Sequence, residues 1–136
     1  MYAVAVGCSD IYSLNKHGNL YVSDHFKVRE FKCNDGSDTI IISPLLVDLL
    51  EKIRMSCGSK PVYINSGYRT EAYNKKIKGA TYSYHKYGMA ADIIVEGLSP
   101  KLVYQKADEL MPSTGGVILY NSFVHVDVRS TKYRKT

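Results

Sequence analysis

The stretch Ser83-Tyr-His-Lys-Tyr-Gly-Met-Ala-Ala-Asp-Ile-Ile-Val95 decides how this chain is read. From Gly88 onward it is apolar and strand-like, with one carboxylate, Asp92, set inside it. Burying a lone carboxylate is costly, so an acid in such a place is normally paired, hydrogen-bonded or bound to a metal. Alternation puts Ala90, Asp92 and Ile94 on one face and Ala91, Ile93 and Val95 on the other. His85 stands seven positions upstream of Asp92, past a glycine hinge at Gly88. The loop between them can fold the imidazole back to the same point. An exposed strand position beside a surface histidine would give the same pattern, so this pair alone leaves both readings open.

The end of the chain shifts the balance. In Phe123-Val-His-Val-Asp-Val128 the valines fill one face, while Phe123, His125, Asp127 and then Arg129 share the other. His125 and Asp127 are same-face neighbours, about 7 Å apart at a rise of ~3.3 Å per residue. A solvent face decorated with polar side chains would read the same way. Together, though, His85, Asp92 and His125 supply two imidazoles and one carboxylate, a donor set that suits zinc with a fourth position open to water. Asp127 is left as the nearby carboxylate able to take a proton from that water. No HExxH is present, so this is not a helix-borne zincin site. His17 and His25 lie in polar sequence and read as surface or packing residues.

Working outward, Ser43-Pro44 opens a helix with Ser43 as its cap. Leu45, Leu46, Leu49, Leu50 and Ile53 follow at helical spacing and Gly58 stops it. Pro61 to Ile64 reads as a strand ending at Asn65-Ser-Gly67. A second helix is predicted from about Thr70 to Lys78, with Glu71 near its start and Lys75, Lys76 and Lys78 near its end, as the helix dipole favours. Ser99-Pro100 opens a third helix to about Leu110, and Gly116 to Leu119 is a short strand. Residues Tyr2 to about Asp38 read as irregular. Helices and strands mix without regular βαβ alternation. The prediction is an α+β domain with a small, mainly antiparallel sheet and flanking helices.

The chain has 136 residues, enough for one domain spanning 1–136. With 45% hydrophobic and 23% charged residues it is excluded from disordered and collagen-like classes. No run of about 18 apolar residues exists to form a membrane-spanning helix. Met1 to Cys8 lacks a basic leader region, so a short strand or ordinary N-terminus is expected there rather than a cleaved signal. Cys8, Cys33 and Cys57 are odd in number without CxxC spacing, which predicts buried free thiols. The net charge is +5, but Arg129, Lys132, Arg134 and Lys135 supply most of it, and the chain without its last eight residues is at +1. A nearly neutral body with a basic tail at 130–136 is therefore expected, and a nucleic-acid partner is not.

Ser83-x-His85-x-x-Gly88-x-Ala90-x-Asp92, with Ser66-Gly-Tyr-Arg69 before it and Phe123-Val-His-Val-Asp127 after it, resembles the zinc D-alanyl-D-alanine carboxypeptidase family. The likeness covers about Tyr21 to Arg129 and looks closest to the short branch of bacterial cell-wall peptidases and phage lysis enzymes. It implies the fold shared with Hedgehog signalling domains. It also implies Zn2+ held by His85, Asp92 and His125, and Arg69 gripping a carbonyl or carboxylate of the peptide, as a planar guanidinium can. Ser83 is expected to bind substrate or to orient His85. The implied substrate is the peptidoglycan stem peptide, cut by metal-activated water with Asp127 as base. Several branches carry an acid three residues before the third ligand, where this chain has Ser122; others place the residue matching Asp127 on the metal. A non-catalytic wall-binding module of the same fold is the rival reading. Anionic cell-wall polymers are the partner implied for the tail, and phage holin release or export by a partner would bring the protein to the wall.

Overall fold

Asp92 and His125 meet because their strands pair in register. In a computed structural model, which describes residues 9–136, a five-stranded sheet is built around these two residues. Its strands are β3 (Val62–Ser66), β4 (Ala90–Val95), β5 (Gly116–Leu119), β6 (Val124–Asp127) and β7 (Tyr133–Lys135), in the order β3-β4-β6-β5-β7. All pairings are antiparallel except the parallel edge β5–β7. Two further strands, β1 (Asp10–Ser13) and β2 (Thr39–Ile42), form a separate antiparallel pair. The expectations for Met1 to Cys8, including Cys8 itself, lie outside the described residues. Cys33 and Cys57 are free and buried.

The alternation read from the sequence decides which face is dry. Ala91, Ile93 and Val95 of β4, Val124 and Val126 of β6 and Val117 of β5 are buried. Against them pack α2 (Pro44–Ser56) and α4 (Pro100–Leu110), which bring Leu46, Leu50, Ile53, Val103 and Ala107 into one core. A fully buried aliphatic side chain of this size contributes about 1.5–3 kcal/mol. Pro44 and Pro100 both sit at a helix start, where a missing N–H is harmless. The Ser99 hydroxyl accepts from Leu102 N at 3.2 Å, whereas Ser43 caps without a side-chain bond and donates its N–H to the Gly88 carbonyl. Leu45, expected inside, faces out and Val47 takes its place. At about 100° per residue Leu45 and Val47 point about 160° apart, so a stripe that buries Val47 leaves Leu45 outside it.

Two parts of the chain differ from the sequence reading. The segment before Asp38 is not wholly irregular. It contains β1, the single-turn α1 (Leu14–His17) and a 3-10 turn at Val28–Phe31 that buries Val28 and Phe31. These elements are four residues long, too short to show a period, and β1 is fixed only by its partner β2. The basic tail is also structured: Tyr133–Lys135 form β7 against β5. Arg134 pins it by binding Asp108 at 2.6 Å, the Gly115 carbonyl at 2.6 Å and the Met111 carbonyl. The predicted second helix is shorter than expected, α3 (Glu71–Lys76), with the Thr70 hydroxyl accepting from Tyr73 N at 3.1 Å.

Candidate metal centre

The second face of the sheet carries the site. Asp92 lies directly opposite His125 in the β4–β6 ladder, and Ser66 of β3 lies opposite Asp92 on the other side. His85 arrives from a 3-10 turn, Tyr84–Tyr87, that ends at Gly88 with φ +70°. A side chain at Gly88 would run into the Ile41 carbonyl, so glycine alone lets the turn close onto β2. The Ser83 hydroxyl accepts from His85 N at 3.3 Å and caps this turn.

Potential ligand atoms of His85, Asp92 and His125 all lie within 4.8 Å of one another, and all three residues are buried. Each imidazole is aimed by its other nitrogen. His85 Nδ1 donates to the Gly67 carbonyl at 2.8 Å. Its Nε2 is then an acceptor, 3.3 Å from Asp92 Oδ1 and making no hydrogen bond. A buried nitrogen lone pair with no donor facing it is what a metal ligand needs. His125 Nδ1 lies 3.2 Å from the same Asp92 Oδ1, and its Nε2 binds Asp127 Oδ2 at 2.7 Å. Two imidazole nitrogens and one carboxylate oxygen facing a common point fit zinc, with room for one further ligand.

The charges are mutually supporting. Burial alone would raise the Asp92 pKa, but the flanking imidazoles of His125 and His85 outweigh it and hold the carboxyl well below its ordinary value. Burial likewise works against Asp127, and the Arg129 guanidinium and His125 overcome it. His125 is pushed down by burial and up, more strongly, by Asp127 and Asp92. Arg69 Nη2 binds the outer oxygen of Asp92 at 3.2 Å, while its Nε reaches Ser66 Oγ at 3.1 Å. The guanidinium expected to grip substrate thus also holds a candidate ligand in place.

Asp127 lies against the His125 ring and not in the cleft. A base must face the water it deprotonates. Asp127 is fully buried, behind the His125 ring and away from Asp92, with both oxygens occupied. Gly116 N and Arg129 N and Nε donate to Oδ1, at 2.9, 3.1 and 2.8 Å; Arg129 Nη2 reaches Oδ2 at 2.6 Å. Ser122 sits exposed in the bend between β5 and β6. The sequence reading passed over Gly116, which stands opposite Asp127 and whose missing Cβ leaves room for the carboxylate. It also passed over Tyr84 and Tyr133, whose rings sandwich Arg129 at 4.5 and 4.7 Å. His17 accepts from Ser13 N and His25 pairs with Glu51, both remote from the centre.

Over the three clustered residues opens a cleft of about 580 Å³. One wall is the loop from Lys78 to Tyr84, and the other holds the stacked Tyr120 and Phe123, 4.5 Å apart. An α+β fold with a His-Asp-His cluster on the open face of a small sheet places a candidate metal site at the floor of this cleft. The profile of the peptidase M15 family matches residues 21–127, and the chain belongs to that family. It is 31% identical over 118 residues to the peptidoglycan L,D-endopeptidase MepK of Escherichia coli K12 and to that of Shigella flexneri. That alignment takes in 81% of this chain, which spans 62% of the length of these relatives. A shorter stretch of 44 residues, 32% of this chain and 17% of the relative, is 41% identical to the zinc D-Ala-D-Ala carboxypeptidase of Streptomyces albus G.

Proposed function

We propose that this chain is a zinc-dependent peptidase that hydrolyses peptidoglycan stem peptides. The observation that carries the reading is the orphaned His85 Nε2, buried and aimed at the point shared by Asp92 and His125. Bound there, zinc would supply a Lewis acid for the scissile carbonyl and make water a nucleophile near neutral pH. His85, Asp92 and His125 hold the metal. Arg69, steadied by Ser66, presents a guanidinium to a substrate carbonyl or carboxylate at the cleft wall. Ser83 keeps the His85 turn closed. Tyr82, Tyr120 and Phe123 offer apolar surface to the peptide, and Lys78 adds a cation at the rim.

The longer likeness to the L,D-endopeptidase MepK supports an internal bond of the peptide as the target over a terminal D-Ala-D-Ala bond. The site of action is then the cell wall. Lys132 and Lys135, the exposed basic residues beyond Arg129, are the candidates for contact with anionic wall polymers. A second reading, a metal-holding wall-binding module without catalysis, is favoured by one feature: among the described residues, Asp92 is the only carboxylate lining the cleft. Digestion of purified sacculi, with mass spectrometry of what is released, separates the two. The peptidase reading expects soluble fragments that vanish with a chelator and return with zinc. Binding to sacculi without released fragments would establish the module instead.

A further inference from the structure

The mechanism read from the sequence makes Asp127 a base, yet its surroundings are those of a support. Four groups converge on it from two strands and the chain beyond. An ionised carboxylate only accepts, so the 2.7 Å contact to His125 requires Nε2 to carry the proton. His125 Nδ1 faces Asp92 Oδ1 at 3.2 Å and the His85 ring, so it is the nitrogen on which a metal would take the place of a proton. Arg129 grips both Asp127 oxygens with Nε and Nη2, at 2.8 and 2.6 Å, and fixes the carboxylate plane. The guanidinium is in turn clamped between Tyr84, next to His85, and Tyr133 of β7. Gly116 completes the pocket by donating its N–H and leaving space.

We propose that Asp127 and Arg129 are positioning residues, which lock His125 as the Nε2–H tautomer and so aim Nδ1 at the metal. The inference rests on the zinc reading above. It reassigns Asp127 and gives the C-terminal strand a task in the site: Tyr133 holds the far face of Arg129. The sandwich couples the turn that carries His85 to the strand that carries His125, so both imidazoles are braced by one cation.

The test measures zinc affinity by chelator competition on the full chain, together with the His125 tautomer by long-range proton–nitrogen NMR. Wild type is expected to bind one zinc with His125 protonated at Nε2. D127A is expected to bind zinc about 10–100-fold more weakly, the loss typical when the partner of a ligating histidine is removed, and to lose the single tautomer. Arg129→Lys keeps the charge but not the two-pronged grip, and Tyr133→Ala removes one face of the clamp. Both are expected to weaken zinc binding while the circular dichroism spectrum stays that of wild type. These two variants carry the test if D127A fails to fold. Zinc affinities within twofold of wild type in all folded variants, with His125 still a single Nε2–H tautomer, would overturn the proposal; lost sacculus digestion in D127A would then mark it as the base. A wild-type chain that takes up no zinc would overturn the metal reading itself, and the proposal with it.

Discussion

Replacing Gly88 by alanine isolates how tightly the fold constrains the His85 turn. Gly88 and Gly97 share the left-handed backbone, with φ of +70° and +80°. They differ in surroundings: a Cβ at Gly97 meets nothing within 4 Å, whereas one at Gly88 collides with the Ile41 carbonyl and the Ile42 nitrogen. Gly97→Ala therefore reports the left-handed penalty alone, roughly 1–2 kcal/mol. Gly88→Ala carries the same penalty plus a steric cost of about 1–3 kcal/mol, as for an overpacked core. The Gly88 carbonyl also accepts from Ser43 N at 2.9 Å, and disturbing that bond adds about 1 kcal/mol. The total is about 3–6 kcal/mol for Gly88→Ala. Because any relief must move the turn away from β2, zinc affinity should fall in Gly88→Ala and hold in Gly97→Ala. Chemical denaturation of the two variants, with chelator competition for zinc, measures both quantities. Equal unfolding free energies for the two, or unchanged zinc affinity in Gly88→Ala, would refute the argument that the Ile41 contact fixes the turn.

Zinc removal should lower the thermal midpoint, since a ligand bound only by the folded state at 100 times its Kd contributes about 2.7 kcal/mol; a melting curve with and without chelator shows it, and His85→Ala should abolish the difference. Asp35 accepts from Ser37 N at 2.9 Å, and chiefly through that bond its carboxyl is lowered to about 2 from the usual 3.8. Its folded pKa lies below the unfolded one, so its contribution is complete above about pH 4 and disappears as pH falls towards 2, which carboxyl NMR titration follows. Arg134→Ala should free β7, seen as faster amide hydrogen exchange at Tyr133 and Lys135 with the rest of the sheet unchanged.

The sequence by itself determined much of this protein. Asp92 and His125 were legible because period-two alternation assigns each strand residue to a face and an acid in an apolar strand demands a partner, while His85 was drawn to them by the loop that ends at Gly88. The helices α2 and α4 were legible because capping serines, N-terminal prolines and apolar spacing are local signals. Tertiary structure alone decided the remainder. The role of Asp127 depends on which His125 nitrogen faces Asp92, and that follows from the β4–β6 register, not from the one-residue gap between His125 and Asp127. Gly116 looks like an ordinary strand start until pairing puts it opposite Asp127. The C-terminal charges counted as a tail because net charge carries no partner information. Arg129 and Arg134 are internal fasteners, and the contacts that make them so, to Tyr84 and Asp108, lie far back along the chain. Local propensity acts over a few residues, while the orientation of a ligand or the burial of a charge is set by neighbours that only the folded chain brings together.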